Sequence, residues 1–310
     1  MNTTLAPSAT VTSRDPKGLK FMSIIDGAYN KAGLTEDEAQ RVNEASGLSE
    51  LVSKFIAESR LLNEFASEEV RSKYGYLSGY KPKGITEQTN KLRMLFSGIG
   101  FADEQIAARP LPAGAEGWSA IPKWQTMAPT YGEAVAKVFA LLSSTRNGKF
   151  ENYREGQLGP KYLRQSAKAE QAFAQLCEQQ KDHDILVVPC QFGLRHAGRS
   201  ARRARVVMNS LEFGLGAFTV GIMLLTHPER LQHFDDLWID CAGDEFSPDA
   251  DGEFSHAPIF HFDFGRLRFF TCWVGDAFDG CGSASGFLPK SPLGHEAVLQ
   301  LRGTACVIPR

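Results

Sequence analysis

Eight residues, Gly193-Leu194-Arg195-His196-Ala197-Gly198-Arg199-Ser200, have the spacing of the phosphate-binding loop G-x-x-x-x-G-K-[ST], with Arg199 where that motif places lysine. A β-branched run, Ile185-Leu186-Val187-Val188, precedes them and a helical pattern follows. In that setting glycines let the backbone approach a phosphate, and the first N–H groups of the new helix face the anion. Arg195, Arg199, Arg202, Arg203 and Arg205 cluster here, with no acid between Asp184 and Glu212. On a helix Arg199, Arg202 and Arg203 share one face. At a helix start they oppose the dipole, which favours acids. They must therefore be paired with carboxylates or offered to an anion. Gly193, Arg195, Gly198, Arg199, Ser200, Arg202 and Arg203 are the expected phosphate contacts. Two departures stand against this: a planar guanidinium fills such a loop differently from a slim ammonium, and Gly193 lies several residues beyond the apolar run. The competing reading is an ordinary strand–turn–helix with an arginine-rich first turn.

The acids that would complete such a site follow Leu237-Trp238-Ile239, an apolar strand pattern ending on Asp240. Asp240, Asp244 and Glu245 are the candidate catalytic carboxylates. Asp240 and Asp244 are the candidate ligands of a magnesium ion, which needs few carboxylates besides water. With the arginines they would make a phosphoryl-transfer or hydrolase centre. The segment 231–265 holds Asp235, Asp236, Asp240, Asp244, Glu245, Asp249, Asp251, Glu253 and Asp263 and no lysine or arginine. It is therefore the expected internal partner if the arginines are neutralised within the fold.

Weaker signals remain. Asp249-Ala250-Asp251-Gly252-Glu253 resembles part of a calcium loop, but Ser247 and Pro258 occupy the outer ligand positions. Cys190 could be a nucleophile with His196 or His227 as base, against the commoner role of a small buried hydrophobe. His256 and His261 would face opposite sides of a strand. His295-Glu296 begins a zincin-like pattern that Leu299 breaks, and Ala284 breaks a serine-hydrolase reading of the 280–286 loop. Tyr74, Tyr76 and Tyr80 beside Lys81 and Lys83 could stack bases, or could simply pack at a loop.

The elements that must position these groups are helical first and mixed later. Residues 1–17 read as a disordered tail and not a signal peptide, having no apolar core. Residues 18–107 read as a helical region, with a capping box at Thr35-Glu36-Asp37-Glu38. There Leu48, Leu51, Val52, Phe55 and Ile56 form a stripe whose expected use is core packing. Residues 108–130, with four prolines and two tryptophans, read as a connection and the best domain boundary. Residues 131–310 read as a mixed α/β domain: helices at 131–143 and 166–180, a strand at 185–188, a long helix at 200–231, and strands at 237–241, 258–264 and 267–274. The expected class is α+β, with a mixed sheet covered by helices. Net charge of −2 excludes general polyanion binding, so a nucleic-acid site would be a local patch. Six cysteines without a C-x-x-C pair fit a reducing cytoplasm. The strongest apolar run, Leu211–Leu225, is too short to span a bilayer.

Asn152-Tyr153-Arg154-Glu155-Gly156, the run Leu186–Arg205, Phe213-Gly214-Leu215-Gly216, Leu225-Thr226-His227-Pro228-Glu229-Arg230-Leu231 and Trp238–Glu245 together resemble a family of hypothetical proteins from candidate-phyla bacteria, over roughly Trp118 to Pro289. The resemblance implies an intracellular bacterial protein and supplies no catalytic residues. Two functions are carried forward. One is a phosphate-, nucleotide- or nucleic-acid-binding protein, with a metal-assisted reaction if the carboxylates join. The other is a non-enzymatic interaction protein whose arginines and acids satisfy each other.

Overall fold

Asp15 in extended conformation followed by Pro16 starts the first helix of the computed structural model, because proline at the first helical position loses no needed N–H. The structure describes residues 12–44, 47–61 and 63–289. Helix α1 (Pro16–Ala32) ends at Gly33, whose φ of 60° is the left-handed cap. Helix α2 (Glu36–Glu44) opens on the expected capping box: Thr35 N–H donates to Glu38 Oε2 (2.9 Å) and Glu38 N–H to Thr35 Oγ1 (3.4 Å). Helix α3 spans Leu48–Leu61. The chain divides into a unit ending at Arg60 and another beginning at Leu61.

In the second unit the elements run α4 (Ile85–Leu95), β1 (Gly117–Pro122), α5 (Tyr131–Thr145), β2 (Phe150–Asn152), β3 (Leu163–Gln165), α6 (Ala167–Gln179) and β4 (Ile185–Gln191). They continue with α7 (Ala201–Val207), β5 (Glu212–Gly214), α8 (Ala217–Thr226), β6 (Trp238–Asp240), β7 (Asp244–Phe246), β8 (His256–Asp263), β9 (Arg266–Trp273), β10 (Cys281–Ser283) and β11 (Ser285–Phe287). Strands β1, β4, β11 and β5 form one antiparallel sheet in that order. The other seven form a mixed sheet in which β10–β6 and β2–β9 are parallel. The class is α+β, as the sequence pattern implied.

Every residue of β4 is buried, as expected of a β-branched central strand. Its Pro189 pairs with Trp118 of β1, while β11 reaches only Cys190 and Gln191, so no ladder N–H is missed on that side. The β8–β9 turn has φ of 46° at Phe264 and 72° at Gly265, with Asp263 paired to Arg266: a two-residue hairpin. Phe139 of α5 packs edge-on to Phe150, Phe260 and Phe269 (centroids 5.1, 5.9 and 4.6 Å), joining helix to sheet in the core. Helix α8 is buried on all sides, against α5 and β1 among others.

Three expectations are corrected. The proline- and tryptophan-rich stretch 108–130, expected as a connection and the best boundary, holds β1 at 117–122, paired along its whole length with β4, and the chain divides after Arg60 instead. The long helix at 200–231 is instead α7, β5, α8 and a short 3₁₀ turn. Gly214 belongs to β5, and a Cβ there would lie 2.5 Å from the backbone of Ala242. The tail expected at 1–17 lies outside the described residues up to 11, and the chain is helical from Pro16. Among the described residues no helix is long and apolar enough to cross a membrane.

Candidate functional site

The loop from Gly193 to Ser200 leaves β4, makes one 3₁₀ turn and enters α7. A phosphate cradle needs backbone N–H groups aimed at the anion. Here each has a protein acceptor. Gly193 and Arg195 donate to Gln191 Oε1, Leu194 to Tyr76 Oη, and His196 to the Gly193 carbonyl. Ala197 donates to the Leu194 carbonyl, Gly198 to Cys281, Arg199 to His196 and Ser200 to Glu68. The concave side is filled as well, since a Cβ on Gly198 (φ 78°) would meet the Val70 carbonyl at 2.0 Å. The phosphate-loop expectation is corrected on this point: sequence spacing is present, but the segment near Glu68–Val70 pairs with 198–200 and takes the place an anion would need.

The guanidinium groups are also engaged. Arg195 Nε donates to both oxygens of buried Glu212 (3.0 and 3.1 Å). Arg199 pairs with Glu69 (3.4 Å) and donates to the Arg195 carbonyl (3.1 Å). Arg202 is bidentate to Glu68, and Ser200 Oγ donates to the same carboxylate (2.7 Å). Arg203 binds Glu69 and the Glu64 carbonyl. Arg205 donates to the carbonyls of Ala242 (2.9 Å) and Asp244 (2.7 Å). Internal pairing was one expectation; only Arg205 meets the acidic segment 231–265, and the other four arginines pair with Glu68, Glu69 and Glu212. Nothing local in the sequence joins Glu68 and Glu69 to arginines some 130 positions away, whereas Glu212 is only 17 positions from Arg195.

Glu212 is the hub of a buried polar chain. Arg199 can only donate, so His196 Nδ1 accepts from it (3.2 Å) and His196 Nε2 carries the proton given to Glu212 Oε1 (2.8 Å). Ser285 Oγ donates to the same oxygen (2.6 Å), and Gln191 Nε2 donates to Ser285 Oγ (2.9 Å). Burial alone would raise the Glu212 pKa, but bonds from His196 and Ser285 and the Arg195 charge hold it below the usual range. Burial lowers that of His196 against the pull of Glu212, so the imidazole stays neutral.

The carboxylates do not converge on a metal. Asp244 accepts from Tyr131 Oη (2.8 and 2.9 Å) and from Ala217 N–H (2.7 Å), so it caps α8 in place of the side chain that Gly216 lacks. A Cβ on Gly216 would lie 2.1 Å from Asp244 Oδ1, which explains the glycine. Glu245 pairs with Arg164 (2.8 Å). Asp240 ends β6, and burial pushes its pKa up to about 7, with Arg205 opposing. Among the described residues no group of three or more His, Cys, Asp and Glu side chains is placed to hold a metal ion. In the calcium-like loop Asp251 Oδ1 instead accepts from Ser247 Oγ (3.0 Å) and Glu253 N–H (2.9 Å).

The other candidates resolve likewise. Cys190 is buried, and burial pushes its thiol up to about 12, opposite to what a nucleophile needs. Tyr76 Oη donates to Glu116 (2.7 Å), and Tyr80 is buried edge-on to Phe192 and His227, so neither is open to a base. His227 Nε2 accepts from Lys83 N–H (3.1 Å). Arg230, almost wholly buried, donates to the carbonyls of Leu237 (2.9 Å) and Phe192 (2.6 Å) and lies over the Tyr76 ring (3.9 Å). His295, Glu296 and Leu299 lie outside the described residues. Two surface clefts, one beside Trp124 and one beside Lys168 and Glu212, include none of Gly193–Ser200 or Asp240–Glu245 in their walls.

Comparison with protein-family models, curated proteins and solved structures finds no match to this chain.

What the helical region offers is different. No residue of α1 or α2 is buried. Phe21 of α1 stacks on Phe55 of α3 (6.3 Å), yet Phe55 stays 58% exposed, Leu51 66% and Ile24 63%. Leu19, Met22, Ile25, Tyr29, Leu48 and Ile56 are also exposed. The expected core use of the 48–56 stripe is thereby corrected for Leu48, Leu51, Phe55 and Ile56. Nine large apolar side chains of α1 and α3 are thus exposed among the described residues.

Proposed function

We propose that this chain is a non-enzymatic interaction protein. Its α+β unit is held rigid by internally satisfied charges, and its N-terminal helices present apolar faces to a protein partner. The observation that carries the reading is the exposure of the apolar sides of α1 and α3. The pairing of Arg195, Arg199, Arg202 and Arg203 with the chain's own acids supports it, since an anion would have to displace Glu68, Glu69 and Glu212. Five unpaired thiols, Cys177, Cys190, Cys241, Cys272 and Cys281, among the described residues support a reducing, cytoplasmic setting.

Two measurements test the reading. Titration with ATP plus magnesium, and with single-stranded DNA at several salt concentrations, should give no binding. Arg199→Ala should cost about 1–3 kcal/mol of stability, because it removes the half-solvated pair with Glu69 and leaves the buried His196 Nδ1 without its donor. Binding that weakens with salt and with Arg199→Ala restores the anion site. In parallel, a fluorescent apolar dye at low protein concentration should bind the native chain and bind Leu51→Gln with Phe55→Gln much less. A native chain that ignores the dye refutes the exposed face.

A further inference from the structure

Resting on that reading, we propose that the partner gripped by α1 and α3 is a second copy of this chain. In α1 the apolar positions Phe21, Ile24, Ile25, Ala28, Tyr29 and Ala32 recur at helical spacing, with Leu19 and Met22 at the margin. In α3, Leu48, Leu51, Val52, Phe55 and Ile56 do the same. The Phe21–Phe55 stack joins the two helices but leaves Leu19, Met22, Ile24, Ile25, Tyr29, Leu48, Leu51, Phe55 and Ile56 exposed. These nine side chains offer on the order of 100 Å² each, together about the ~800 Å² that each partner of a standard interface buries.

Charge decides between occupants. From Thr12 to Arg60 the chain has seven basic and eight acidic residues. So balanced a segment has no field to select a polyanion, an anionic membrane or a strongly charged peptide. Its partner must be recognised by apolar shape. A second copy brings an identical apolar arc with the same balanced rim, and a two-fold axis places each patch on its twin without a like-charge penalty. Two α1/α3 pairs would then form a four-helix arrangement, the usual way for such stripes to leave water.

Sedimentation velocity of the full chain from about 1 µM to about 100 µM should show a monomer–dimer shift. Leu51→Gln with Phe55→Gln, and independently Ile24→Gln with Ile25→Gln, should each weaken association at least about a hundredfold, because buried apolar anchors carry most interface energy. Glutamine keeps good helix propensity, and the slowly exchanging amides of α8 and β4 should be unchanged, so a folding defect of the other unit is separable. Leu77→Gln, at an exposed apolar position of the other unit, should leave the dimer intact. A chain monomeric throughout, or a dimer indifferent to both helix variants, overturns the proposal. If that monomer still binds the apolar dye, another protein is the partner and the interaction reading stands; if it does not, both fall.

Discussion

Asp240 is the side chain whose chemistry departs furthest from what its place in the sequence implied. An acid closing an apolar strand was legible; that the fold would bury its carboxyl was not, because part of its surroundings comes from α7, whose Arg205 is close enough to act on its charge. Burial raises its pKa from 3.8 to about 7, and the thiols of Cys241, Cys272 and Cys281 sense the same charge. A carboxyl whose folded pKa is raised contributes most below the unfolded value, and that contribution is lost as pH climbs through the folded one. The buried neutral imidazoles work the other way. His227 and His261 are lowered to about 4, so the stability they confer above pH 6.5 is lost on acidification. The net curve therefore mixes signs, and the informative quantity is a difference. Asp240→Asn should match the native chain near pH 4 and gain on it as pH rises to about 7, by up to ~1.4 kcal/mol per pH unit. Urea midpoints at pH 4.5 and pH 8 measure this. An equal difference at both pH values would mean that Asp240 is ionised throughout.

At the scale of elements, the loop between β4 and α7 is a lock fastened from three directions: Glu212 on β5, Ser285 on β11, and the Glu68–Val70 segment. Removing Glu212 strands the buried His196 and Ser285 and leaves the partly exposed Arg195 unpaired, so Glu212→Ala should cost about 2–3 kcal/mol, and Glu212→Gln, which can still accept, clearly less. Denaturant unfolding of both variants checks the order; a Glu212→Ala cost within about 0.5 kcal/mol would show that the hub is ornamental. Gly198→Ala should be at least as harmful as Glu212→Gln, since it sets a Cβ against the Val70 carbonyl at a φ of 78°. These elements were unevenly legible. The run Ile185–Val188 and the capping box at Thr35 were plain because each rests on local chemistry. The helix drawn through 200–231 failed because β5 and α8 are wholly buried, and such a run shows no periodic break at Gly214 and Gly216. Strand β1 was missed because Pro122 and its neighbours look like punctuation until β4 pairs with them. The arginine site was half legible. Its cations stood out, with Glu212 as the next acid after them, while Glu68 and Glu69 lay too far along the chain to be assigned.

For the molecule as a whole, the difference between the two units is one of burial. From Leu61 onward, α8 and β4 lie in a continuous core, whereas α1, α2 and α3 are 17, 9 and 14 residues long and α1 and α2 bury no residue. Isolated helices shorter than about 12–15 residues are marginal in water, and their stability comes from covering an amphipathic face. The stripe itself could be read from the sequence; its destination could not, because a core face and a docking face share one pattern. Amide hydrogen exchange separates them. At about 1 µM the amides of 16–32 and 48–61 should exchange orders of magnitude faster than those of α8 and β4, which open only with the global transition. Raising the concentration to about 100 µM should slow the α1 and α3 amides alone, since a copy that binds the helical form stabilises it by mass action and leaves the core unchanged. Slow exchange in α1 and α3 already at the lowest concentration would mean that these helices need no partner, and that their apolar faces are sheltered within one chain.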